Sequence, residues 1–184
     1  MNPRKTIQEA HELAVMTLFT QWLGSHEGIK YELVSRPDPP DGIYRSAVKE
    51  LWLEVVDVYR SADEGHEERS HATPGEEPFI HREHPIEAPD ERTASVLLDV
   101  MKKKISKETY RQVSIQYGQG YLICCERDPL FDESTLDEIT ERVDEEMDEL
   151  RDWSKGFFKE VYLYQRPFNG KPGAFHKLCE FNAT

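Results

Sequence analysis

The sequence predicts an α/β protein, three-layer α/β/α with a central mixed sheet. Three observations carry that expectation. Segments 51–60 (LWLEVVDVYR) and 121–125 (YLICC) are short, nearly continuous apolar runs, as strands covered on both faces are. Helical periodicity alternates with strands in the second half, which implies parallel crossovers. The earliest strands instead follow one another after short turns, as in a meander.

The elements follow in order. Helix one is expected over Thr6–Leu23, with Thr6 and Glu9 at capping-box spacing and Gly24 as its stop. Its apolar residues spread over a wide arc, and Glu12 projects into that arc. Tyr31–Ser35 reads as a strand, ended by Pro37, Pro39 and Pro40, which lack the N–H a ladder needs. Ile43 and Tyr44 suit a short strand, and 51–60 a central one. Residues 61–92 hold four Pro, four His and ten acids with little periodicity, and read as a long exposed acidic loop or insertion. A helix is expected from about Glu91 through Tyr110. A strand follows at 121–125, then an amphipathic helix at 132–152 capped by Asp132 or Ser134. Lys159–Gln165 is the last core strand, and the turn-rich tail ends in an edge strand. The whole, 1–184, is expected to be a single domain.

Composition bounds the function. At 38% hydrophobic and 32% charged over 184 residues, the chain can bury a core. No apolar run is long enough to span a bilayer, and the first residues do not suit a signal peptide. Three cysteines make no disulfide framework, so reduced thiols and a cytoplasmic location are expected. A formal charge of −13 argues against nucleic acid as a partner. Residues 61–92 contribute −7 and 133–152 contribute −8, however, leaving the rest at +2. A site outside those segments sits in a near-neutral local field.

The chemistry begins at Glu54. A carboxylate between Trp52, Leu53, Val55 and Val56 in a buried strand needs a partner or a metal. Asp41 lies on the neighbouring strand, just after the Pro-rich bend. Two such carboxylates suit Mg²⁺ or Mn²⁺, which takes one or two carboxylates and keeps several waters.

Pro40-Asp41, or alternatively Pro37-Asp38, followed by Glu54 on the next strand, resembles the PD-(D/E)XK nuclease-like superfamily. The resemblance covers about residues 6–165 in element order. It implies a restriction-endonuclease-like αβββαβ core, hydrolysis of phosphodiester bonds in nucleic acid, and a helix-one carboxylate, for which Glu12 stands. Where the family has its motif lysine, this chain has Val56. The family lysine can migrate to a neighbouring helix. On a helical projection of 91–110, Lys104 falls near the middle of the apolar arc and Lys107 toward its edge, so either can replace it. Lys102, Lys103, Lys107 and Arg111 suit sequence-independent phosphate contacts, weak and salt-sensitive.

Other readings stay open. Asp41 also fits a Pro-Pro-Asp-Gly turn. Glu12 equally suits a salt bridge, and Lys102–Lys104 a solvated helix end. Asp57 reads as a solvated strand end. His81 and His84 have ligand-like spacing without cysteines to accompany them, and Cys124 and Cys125 read as inert packing. The alternative function is an inactive nuclease-fold protein that binds a partner protein through acidic helix 133–152 and the acidic loop.

Overall fold

In a computed structural model of the chain, residues 3–73, 75, 77–80, 88–127, 131–167 and 170–181 are described. The order is α1 (Pro3–Glu27), β1 (Glu32–Ser35), β2 (Gly42–Arg45), β3 (Glu50–Val58), α2 (Ala62–Ala72) and α3 (Pro89–Ile105). A 3-10 turn (Glu108–Tyr110) leads to α4 (Arg111–Tyr117), β4 (Gly120–Glu126), α5 (Glu133–Glu145), α6 (Met147–Ser154), β5 (Phe158–Gln165) and β6 (Ala174–Glu180).

The strands form one six-stranded mixed sheet in sequence order, β1 to β6. β1–β2 and β2–β3 pair antiparallel, β3–β4 and β4–β5 parallel, and β5–β6 antiparallel. The meander and the later crossovers are as the sequence predicts. Alternate residues of each strand serve opposite faces. On one face, Val15, Met16, Phe19 and Leu23 of α1 meet Leu51, Leu53 and Val55 of β3 and Tyr121, Ile123 and Cys125 of β4. On the other, Leu97, Met101 and Ile105 of α3, with Ile139, Val143 and Leu150 of α5 and α6, cover Trp52, Leu122 and Cys124. Helices therefore flank the sheet, an arrangement compatible with a three-layer α/β/α fold.

Several boundaries differ from expectation. Helix α1 starts at Pro3, so Thr6 and Glu9 lie inside it rather than forming a capping box. It runs past Gly24 and stops at Gly28, whose φ of 68° is the left-handed conformation that glycine adopts freely. The segment expected as an acidic loop begins with helix α2, capped by Ser61, whose side chain accepts from the Glu64 N–H. The lysine-bearing helix ends at Ile105, five residues early, and Lys107 is already extended (φ −71°, ψ 123°). Helix 132–152 divides at Glu146, while Asp132 caps its start by accepting from Ser134 and Thr135. Among the described residues no helix is long and apolar enough to cross a membrane. Cys124, Cys125 and Cys179 are free and buried.

Candidate functional site

An open cavity of about 960 Å³ lies where α1, the Pro-rich bend, β3 and α3 meet. Glu12, Asp38, Asp41, Glu54 and Lys104 line one part of it, and His11, Asp57, Glu68 and Arg127 another.

Glu54 occupies the middle of β3 and is 5% exposed. Its Oε1 accepts from Lys104 Nζ at 2.6 Å and from the Tyr110 hydroxyl at 2.8 Å. Its Oε2 is buried with no hydrogen-bond partner among the described residues. Such an orphaned carboxylate oxygen is costly, and a bound cation or water is the usual remedy.

Asp41 follows two cis prolyl bonds, Asp38–Pro39 and Pro39–Pro40, and precedes β2. Gly42 pairs with Leu53, so the register continued by one step sets Asp41 opposite Glu54. Its Oδ2 accepts from the Val55 N–H at 2.7 Å. Burial, with Glu54 and Glu12 nearby, pushes its carboxyl up to about 7. Glu12 reaches the same region from α1, and burial raises its carboxyl too. Gln8 and Arg36 donate to its two oxygens at 2.8 and 3.1 Å. Three carboxylates from three elements thus share one field, and two of them hold protons more tightly than usual.

Arg36, which the sequence reading passed over, fastens this geometry. It donates to the carbonyls of Asp41 (3.1 Å) and Glu9 (2.9 Å) as well as to Glu12, tying α1 to the bend. Its position directly before the PDPPD run was the available signal. Tyr110 was missed because the helix was expected to continue through it. The break after Ile105 turns Tyr110 inward, stacked on Trp52 at 5.6 Å and 16°.

Lys104 is the helix-borne lysine that reaches Glu54. Lys107 does not join it: the helix ends before the projection extends that far, and Lys107 is exposed and outside the cavity lining. Lys102 is engaged by Glu146 and Glu149 at 2.6 and 3.1 Å. Arg111 pairs with Glu108 at 2.7 Å. Lys103 is exposed. Asp38 lines the cavity too. His81 and His84 lie outside the described residues.

At the other end of the cavity, Asp57 is not the solvated strand end expected. His11 Nε2 lies 3.0 Å from its Oδ1, and Arg127 Nε donates to the same oxygen at 2.9 Å. These two partners hold its carboxyl below the ordinary range despite burial.

Set against protein-family models, curated proteins and solved structures, the chain matches none. What the cavity can do rests on its own side chains. The Glu12, Asp41 and Glu54 oxygens do not all close within 4.8 Å of one another. A hard divalent ion does not need all three, because Mg²⁺ uses one or two carboxylates and completes its shell with water.

Proposed function

We propose that this protein hydrolyses phosphodiester bonds in nucleic acid with the help of Mg²⁺ or Mn²⁺, in the manner of the PD-(D/E)XK nuclease-like superfamily. The observation that carries the reading is the unpartnered, buried Oε2 of Glu54, set beside Asp41, Glu12 and Lys104 in one open cavity. An all-oxygen donor set of this kind suits a hard cation. Asp41 and Glu54 would hold the ion, with Glu12 helping directly or through water. Bound there, the ion would supply a water of lowered pKa and offset the negative charge that grows on the phosphate.

The chain's own residues have distinct tasks. Lys104, in place of the motif lysine that Val56 lacks, orients the attacking water or steadies a phosphate oxygen with its three donors. Tyr110 fixes the Glu54 carboxylate by donating to Oε1, so that Oε2 stays directed elsewhere. Arg36 keeps the Asp41 bend against α1. Because Lys102 and Arg111 are committed to acidic partners, few cations remain for backbone contacts, so substrate binding should be weak and its salt dependence shallow.

Titration calorimetry with Mn²⁺, paired with cleavage of labelled DNA and RNA at low salt, tests this. The expected result is Mn²⁺ binding that is lost in Asp41→Ala and Glu54→Ala, and cleavage lost in Lys104→Ala. Mn²⁺ binding indifferent to both carboxylate variants, or no cleavage of either nucleic acid with any divalent metal, would overturn it.

A further inference from the structure

We propose that His11, Asp57 and Cys125 form a second metal site in the same cavity, one that takes a Zn²⁺-class transition ion. This inference stands independently of the proposed hydrolysis. One ligand atom from each of the three residues lies within 4.8 Å of the others. Three elements supply them: α1, β3 and β4. Asp57 and Cys125 pair directly in the parallel register of β3 and β4, so the sheet itself sets their separation. His11 reaches down from α1, 3.0 Å from Asp57.

The donor chemistry differs from that of the Glu54 end. A thiolate, an imidazole and a carboxylate favour Zn²⁺ or Co²⁺, whereas oxygen-only sites favour Mg²⁺ or Mn²⁺. Bonds of about 2.0–2.3 Å at tetrahedral angles need ligand atoms roughly 3.3–3.8 Å apart. The three atoms are therefore close enough for modest side-chain movement to close the shell. Three protein ligands leave one tetrahedral position for water or a ligand, as in sites that do chemistry rather than brace a fold. His11 and Asp57 line the open cavity, which gives the ion its path in.

The surroundings fit a ligating carboxylate. Arg127 donates to Asp57 Oδ1 at 2.9 Å and to Glu68 Oε1 at 2.9 Å, and its guanidinium lies 5.9 Å from the Tyr59 ring centroid. Metal-bound carboxylates are commonly held by such a donor. Glu68 is shared by Arg127 and Arg166, at 2.9 and 3.8 Å, and offsets part of their charge. The two guanidiniums favour the thiolate that the metal needs. On binding, the His11–Asp57 hydrogen bond gives way as the imidazole keeps its proton on Nδ1 and frees Nε2. The buried Cys125 thiol loses its proton by way of Asp57 and the cavity as the metal–sulfur bond forms, and Asp57 supplies the second negative charge.

Co²⁺ added to the reduced protein reads this out without any assay of activity. Expected is a thiolate-to-cobalt charge-transfer band that saturates with one equivalent of tightly bound Co²⁺, whatever further Co²⁺ the Glu54 end takes without that band, and its loss on adding Zn²⁺. Cys125→Ser should abolish the band, while Asp41→Asn and Glu54→Gln should keep it. His11 sits on a partly exposed helix face, so His11→Gln should fold even if the cysteine variant does not; it should weaken Co²⁺ about 10-fold or more. Absence of the band in wild type, its survival in Cys125→Ser, or unchanged affinity in His11→Gln would overturn the proposal.

Discussion

Lys104 Nζ lies 2.6 Å from Glu54 Oε1, joining helix α3 to the middle of strand β3. Glu54 is almost wholly enclosed, and the lysine side chain is 21% exposed. Removing one partner of a buried pair typically costs about 3–5 kcal/mol, because the other charge is stranded. Tyr110 still serves Glu54, and water reaches the lysine, so Lys104→Ala should sit at the low end, about 3 kcal/mol. The double variant Glu54→Leu, Lys104→Met should be less destabilised than Lys104→Ala, since no charge is left behind. Urea unfolding of the set measures both, and a double variant worse than either single would contradict the account.

Asp41 gives a pH signature. Its folded carboxyl titrates near 7, raised by burial first and by Glu54 and Glu12 next. An acid raised on folding binds its proton more tightly in the native state. Its contribution is therefore favourable at low pH and is lost as pH rises from about 4 to about 7. Glu12 is shifted the same way, and Asp57 the opposite way at lower pH. The metal-free protein should thus melt higher at pH 5 than at pH 8. Asp41→Asn should raise Tm at pH 8 and flatten the slope between; an unaltered slope would show that Asp41 does not carry it.

Tyr110→Phe isolates one hydrogen bond. Phenylalanine keeps the stack on Trp52 and removes only the donor to Glu54. Hydrogen bonds to charged groups contribute about 1.5–3 kcal/mol. Lys104 continues to serve the same oxygen, so about 1.5 kcal/mol is expected, seen as a lower denaturant midpoint at constant m. On the proposed function, Mn²⁺ affinity should fall as well, because Glu54 loses its orientation.

Much of the architecture was legible in the sequence for physical reasons. The apolar runs at β3 and β4 read as buried strands, and the Glu54 carboxylate between Leu53 and Val55 pointed to a candidate site. Lys104 was found by projecting 3.6-residue periodicity from the apolar residues of α3. The same projection misplaced Lys107, because nothing in KKKISKETY marks the break after Ile105; Ser106 is a weak helix breaker, and packing of Ile105 and Tyr110 decides it. Asp57 looked solvated because its partners, His11 and Arg127, come from 46 residues before and 70 residues after. Sequence periodicity speaks to faces of one element and not to such meetings. Helix α2 was hidden by polar composition, since it has almost no apolar stripe to reveal it.

Gly120 bears on the site from a distance. A Cβ built there would lie 2.3 Å from the Trp52 ring, far inside van der Waals contact. Trp52 cannot easily retreat: it is fully buried, its Nε1 donates to the Gly118 carbonyl at 2.7 Å, and Phe158 lies against it at 4.9 Å. Its other neighbour is Tyr110, which positions Glu54. Overpacking of this kind costs about 1–3 kcal/mol, and the rigid surroundings put Gly120→Ala at the upper end. The strain should pass from Trp52 through Tyr110 to Glu54 and leave the His11–Asp57 end unchanged. Near-ultraviolet circular dichroism should report the displaced tryptophan; on the two proposals above, Mn²⁺ binding should weaken while the Co²⁺ spectrum of the proposed second site persists. Equal loss of both would mean that the sheet as a whole had shifted rather than this one contact chain.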